Sequence, residues 1–227
     1  MYPNSIAAMM KTNQDLQKDV QDALRWEPLL HAAEIGVIAQ EGIITLTGTV
    51  DSYAKKSEAE DAAKNVIGVK VVIEQIDIRF INDVEKSDHE IASEVLSALA
   101  ASWVPAEKLK IKVEHGLVTL EGTLHWNFQK QAAKKSIKNI IGVTGIKNNI
   151  VIKAETHDEV EKRLIENALK LNWSMDDQDV RVTVSGKIVT LNGVVNSYYQ
   201  KDEAERIAWK APGVGSVVNE LAIELRD

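Results

Sequence analysis

Apolar positions along this chain alternate between two periods. Leu16, Val20, Ala23 and Leu24 recur at i, i+4, i+7 and i+8, and Ile91, Val95, Ala98 and Leu99 repeat the spacing. Such a stripe predicts amphipathic helices with one face turned to a core. A capping pair precedes each stripe: Thr12 with Asp15, Ser87 with Glu90 and Thr156 with Glu159, each followed by an apolar residue four beyond the cap (Leu16, Ile91, Val160). The period then drops to two. Ile111 and Val113 alternate with lysines, and Val180, Val182 and Val184 alternate with Arg181, Thr183 and Ser185, which predicts strands covered on one face. Glu41-Gly42, His115-Gly116 and Gly186-Lys187 supply two-residue hairpin turns with glycine where φ must be positive. A Val-Thr-Leu-type strand returns antiparallel. A second helix follows, carrying Ala59, Ala62, Ala63 and Val66 in the first copy, Ala133, Ser136, Ile137 and Ile140 in the next, and Ala204, Ile207, Ala208 and Ala211 in the last. A final alternating strand closes each copy.

These elements recur three times in register. Gly48, Gly122 and Gly193 end an Ile/Val-Thr-Leu-x-Gly strand, and Gly68, Gly142 and Gly213 follow each by 20 residues. The first set belongs to strands and the second stops helices, so all six are structural glycines. The predicted fold class is α+β: three tandem αββαβ domains, each a three-stranded mixed sheet with two helices on one face, because a parallel return requires a helical crossover. The expected domains span 12–80, 87–153 and 156–227. Units this small sit near the lower size limit for independent folding, so contacts between them are expected.

Composition adds an asymmetry. The chain of 227 residues carries a net charge of −7, yet residues 88–153 hold 9 basic and 6 acidic side chains, against 7 and 12 in 15–80 and 9 and 13 in 157–227. An acidic whole argues against general nucleic-acid binding, while the basic middle unit suits a local anionic partner. There is no cysteine, hence no disulfide or thiolate metal site. No apolar run reaches the roughly 18 residues of a membrane span. Without a signal-peptide pattern the chain as given is expected in the cytoplasm, or in the periplasm if an exported precursor segment is missing.

The order of elements, the Val-Thr-Leu-x-Gly strand, the Gly-Val twenty residues later and the closing Val-Val-Asn-Glu-Leu-Ala-Ile of residues 217–223 resemble the BON domain, a module named for bacterial osmotic-stress and nodulation proteins. Departures are Pro212 in place of an aliphatic residue before Gly213 and Glu74 in place of the asparagine in the first copy. The resemblance implies an α/β module with a non-catalytic role in envelope association, phospholipid binding or stress protection, and it transfers no catalytic residues.

A search for chemistry returns little. His31, His89, His115, His125 and His157 have no partner at i+4 and no cysteine beside them, so no metal site and no cofactor are expected. Asp176, Asp177 and Asp179 lack the glycine and distal glutamate of a calcium loop and read as a solvated loop. No Gly-x-Ser-x-Gly elbow, Walker loop or dinucleotide fingerprint is present, and an enzyme is not expected. Trp26, Trp103 and Trp173 follow the first helix of each unit and are expected to lock helix to sheet. Trp209 lies one step off the apolar stripe and suggests a contact between units or with a partner. The sharpest functional candidate is in the middle unit, where Trp126 and Phe128 precede a helix carrying Lys130, Lys134, Lys135 and Lys138. Aromatic insertion beside a basic face suits anionic lipid; the competing reading has Trp126 capping the core and the lysines paired with the acidic neighbours.

The expected function is a non-enzymatic binding protein that associates with anionic phospholipid or envelope surfaces in osmotic or envelope stress. The alternatives are a protein-protein scaffold or chaperone-like stress protein, and a small-solute or ion sensor. Expected partners are anionic phospholipid or another protein, without nucleic acid.

Overall fold

A computed structural model describes residues 11–30, 35–80, 86–153, 160–172 and 179–224. Its first unit comprises α1 (Asn13–Trp26), β1 (Ile35–Gln40), β2 (Ile43–Val50), α2 (Tyr53–Lys64) and β3 (Val71–Ile78). The middle unit comprises α3 (Asp88–Ala100), β4 (Leu109–Glu114), β5 (Leu117–Leu124), α4 (Asn127–Ile137) and β6 (Gly145–Ile152). The third comprises α5 (Lys162–Lys170), β7 (Asp179–Ser185), β8 (Ile188–Val195), α6 (Tyr198–Ala208) and β9 (Ser216–Ile223). Each sheet has three strands in sequence order, the first pair antiparallel and the second parallel. Three tandem α+β domains follow, as the periodicity predicts.

Local chemistry explains the elements. Thr12 and Ser87 close capping boxes with Asp15 and Glu90; the corresponding pair Thr156 and Glu159 lies outside the described residues. Helix α5 does not start there as expected: Val160 precedes it, and it begins at Lys162 after Glu161, with no side-chain cap. The first helical residue also ties the helix to the hairpin. Asn13 Oδ1 accepts from the Glu41 amide at 2.8 Å, and the two Asp88 oxygens accept from the His115 and Gly116 amides at 2.9 Å each. The hairpin turns take positive φ at Glu41, Gly42, His115, Gly116 and Gly186. Gly142 has φ 96°, and a Cβ there would lie 2.8 Å from the Ile91 side chain. Gly122, at φ 146° within β5, faces the chain entering β4, where a Cβ would lie 2.3 Å from the Lys108 carbonyl. No side chain fits either position.

Each unit has its own core between helices and sheet, with Leu24, Leu46 and Ile76 in the first, Leu99, Leu120 and Ile150 in the middle and Leu169, Leu191 and Leu221 in the third. Asn148 and Asn219 lock the last strand to the second helix by donating to the carbonyls of Lys130 and Lys201 at 2.9 Å each. In the first unit, where glutamate replaces the asparagine, Lys56 pairs with Glu74 at 2.9 Å instead.

The tryptophans correct an expectation. Trp26 is 85% exposed and Trp103 is 90% exposed, so neither locks helix to sheet. Trp26 lies two residues past Leu24 and points away from the stripe; Trp103 lies beyond the end of α3, and the buried Val104 fills the core there. Trp173 lies outside the described residues.

Two amide bonds hold the Asp88 carboxylate below the usual range, the Gly116 bond contributing most, then that of His115. A depressed folded pKa contributes stability that is complete above the unfolded value of about 3.9 and is lost as pH falls through the folded value. Asp88→Ala should therefore lower the thermal midpoint of the full chain at pH 7, and the deficit should shrink as both proteins are melted at successively lower pH below 4.

Candidate binding surface

The second helices meet one another. Tyr53, the first residue of α2, packs against the middle core, and Tyr198, the first of α6, packs against the first core. The Gly68 amide donates to the Asn196 carbonyl at 3.4 Å, which joins the first unit to the third. Lys138, the residue that caps the end of α4, pairs with Glu58 on α2 at 3.4 Å. Asn127 and Gln131 of α4 share a cleft with Asp202, Glu205 and Trp209 of α6. The ends and faces of α2, α4 and α6 are thus brought beside one another where the units meet.

Charge follows this closure. Loss of water raises the Asp61 carboxyl, although Lys134 and then Lys64 draw it down. Asp202 is likewise raised by burial, with Lys64 opposing and Glu205 and Asp61 adding repulsion. Burial draws the Lys64 ammonium down, but its hydrogen bond to Glu60 and the charges of Glu60, Asp61 and Asp202 outweigh this and leave it raised. A lysine of one unit therefore serves carboxylates of two.

This closure divides the lysines of α4. Lys138 is committed to Glu58, Lys134 lies beside Asp61, and both, with Lys130, are half-buried; Lys135 is exposed. Trp209 is half-buried, packs on its own core and directs Nε1 to Glu205 at 3.4 Å. Trp126 and Phe128 are 48% and 61% exposed. The two aromatics start α4, at the end of the unit where α3 stops, β4 begins and β5 and β6 finish. The exposed Trp103 follows α3 at this same pole. Here also Lys108 Nζ donates to His125 Nε2 at 2.8 Å, while His125 Nδ1 donates to the Lys153 carbonyl at 3.1 Å. The pole adds Trp103, Lys108 and Lys153 to the Trp126 and Phe128 that the sequence paired.

Trp126 is the least expected of these. Its position opens the second helix, four residues after the strand glycine, where the other units place Ser52 and Ser197. Those serines accept from the amides of Lys55 and Gln200 at 3.4 and 3.2 Å. Trp126 has no side-chain acceptor for that role, and its backbone amide donates to Gln129 Oε1 at 3.3 Å instead. Comparing the copies for departures would have shown it.

Among the described residues no group of three or more His, Cys, Asp or Glu side chains is placed to hold a metal ion, and no helix is long and apolar enough to cross a membrane. His31, His157, Asp176 and Asp177 lie outside those residues.

The architecture is that of tandem small α+β modules. The chain belongs to the BON domain family, whose profile matches at residues 12–79, 87–154 and 157–224. It is similar to the osmotically-inducible protein Y of Escherichia coli (strain K12), with 30% identity over 129 residues, which cover 55% of this chain and 64% of that protein. Among solved structures, the C-terminal domain of CdsD, a structural protein of the type III secretion system of Chlamydia trachomatis, aligns over 93% of this chain and 98% of its own at 16% identity and a TM-score of 0.25. The PrgH periplasmic domain aligns over 91% and 99% at 9% identity and a TM-score of 0.20.

Half-exposed ion pairs contribute at most about 1 kcal/mol each, so the junction of the first and middle units should respond to single charges. Glu58→Lys should increase the radius of gyration measured by small-angle scattering at low salt. Adding Lys138→Glu should restore it.

Proposed function

We propose that this protein is a non-enzymatic binding protein of osmotic or envelope stress that associates with anionic phospholipid surfaces through the aromatic pole of its middle unit. The observation that carries the reading is Trp126 at a helix start where both sister units keep a capping serine. Giving up such a cap costs about 1 kcal/mol. A half-exposed indole does not recover that within the fold, whereas at a lipid interface its apolar ring and polar edge are both matched. Phe128 and Trp103 extend the apolar contact. Lys108 and Lys153 at this pole supply attraction of about 1 kcal/mol per lysine near an anionic surface. The likeness to an osmotically inducible protein supports the stress context.

A second reading, a scaffold for other proteins, rests on the first unit. The sheet face opposite its helices exposes Ile38, Ile43, Val71 and Ile73, arranged across all three strands. At the corresponding places the middle unit has Lys112, Leu117, Gly145 and Lys147. Binding by that face is apolar and survives salt, unlike attraction to phosphate.

Trp126→Ser separates fold from function. It should raise the unfolding free energy by about 1 kcal/mol by restoring the cap, and it should reduce sedimentation with anionic liposomes at low salt. Replacing Lys108 and Lys153 by glutamine should reduce it further. If the wild type does not sediment with such liposomes, or if Trp126→Ser binds them equally, the lipid reading fails.

A further inference from the structure

The three copies act as internal controls for one another, and the third departs from the others along the seam between its two helices. Ile165 and Ile207, both buried, form the floor of a groove of about 460 Å³ between α5 and α6. Two substitutions open it. Ala211 stands two residues before the helix-stopping glycine, where the other units have Val66 and Ile140, each packed on its own core. Leu164 stands one residue before the buried Ile165, where the other units place Asp19 and Glu94 before Val20 and Val95. Those carboxylates face water and pair with Lys11 and Lys86 at 2.6 and 2.5 Å. The third unit has therefore exchanged a charged wall for an aliphatic one and removed the side chain that fills the seam.

The rim changes as well. Lys210 and Arg206 border the groove, where the first unit has Asn65 and Asp61 and the middle unit Asn139 and Lys135. Arg206 is bound to Glu203, whose carboxyl is held low first by that hydrogen bond, against burial. Lys210 is exposed beside it. Leu164 and Leu171 stay 48% and 86% exposed on the groove walls, which leaves apolar surface in water next to two cations. A concave apolar site of this size with a few polar groups at one edge is the form of a small-ligand pocket.

We propose that this groove binds a free single-chain anionic amphiphile, its alkyl chain along the seam over Ile165 and Ile207 and its carboxylate at Lys210 and Arg206. A linear chain suits a seam between two helices, and the charge at the rim selects an anionic head over a cationic one. The site is in a different unit from the aromatic pole and does not depend on it.

The test is calorimetric titration of the full chain with decanoate below its micellar concentration, and with decyltrimethylammonium as the cationic counterpart. Decanoate should bind and the cation should bind at least about fivefold more weakly, the scale of one partly exposed charge contact. Ala211→Ile restores the middle unit's residue and should weaken decanoate at least tenfold with no loss of thermal stability. Leu164→Asp, the first unit's residue, should do the same, which covers the case in which the isoleucine perturbs folding. Lys210→Asn should weaken binding about fivefold. No binding to the wild type, equal binding of both amphiphiles, or unchanged affinity in Ala211→Ile and Leu164→Asp overturns the proposal. Liposome sedimentation of Ala211→Ile should match the wild type, so this outcome and that of the lipid-surface reading are read separately.

Discussion

One backbone clamp sets the geometry of every unit. The carbonyl of the second hairpin-turn residue accepts the amides that begin the last strand: Gly42 from Lys70 at 2.7 Å and Val71 at 3.2 Å, Gly116 from Thr144 at 2.9 Å, and Lys187 from Gly215 at 2.9 Å and Ser216 at 3.1 Å. The clamp joins the hairpin to the chain leaving the second helix and starts the parallel ladder in one register. Six residues of strand from the turn to the first glycine, then a helix of set length and its stop, give the constant interval of 20 between glycines. An inserted residue in that interval would move the whole last strand to the wrong face. The valine after each stop, Val69, Val143 or Val214, is buried behind the clamp.

The clamp leaves each unit with a small core, and small cores are marginal. Contacts among α2, α4 and α6 supplement them, and they are unequal. Tyrosines start α2 and α6 and enter the neighbouring cores, but Asn127 takes that place in α4. The middle and third units consequently meet across a polar cleft, while the other two junctions have an aromatic insertion. That pattern makes the first unit the hub, in contact by tyrosine with both of the others.

Helices, strands, turns and the caps of α1 and α3 were legible because they rest on spacings within a few residues of one another. Trp26 and Trp103 were misread because closeness to a helix end does not tell the azimuth of a side chain: Val104, one residue further on, takes the core position. The step-four lysines were legible as one face of α4. What stands opposite them, Glu58 and Asp61 from 80 and 73 residues away, depends on how the units close and leaves no local signal. Trp126 against Ser52 and Ser197, and Ala211 against Val66 and Ile140, were within reach of sequence. Agreement among copies reports the scaffold; disagreement reports what each copy carries.

Closure also decides which part of the basic unit is open to the anionic surface proposed above. Glu58 and Asp61 are joined to Lys134 and Lys138 through the same chain, and a short tether gives an effective concentration in the millimolar range. An external anionic surface must compete with that for the inward lysines, and each half-exposed pair is worth only about 1 kcal/mol. Competition costs as much as it returns, so these lysines contribute little net affinity while the ring is closed. On the proposed reading Lys108 and Lys153, at the aromatic pole, would meet the surface without such exchange. Two cations would give attraction that salt screens within about 8–10 Å, enough to orient the molecule but weak in retaining it. Retention would then fall to Trp103, Trp126 and Phe128, at roughly 25 cal/mol per Å² of ring area transferred out of water. A protein that is acidic overall can in this way engage an anionic surface through one pole: its cations select which end approaches, and its aromatics hold it there.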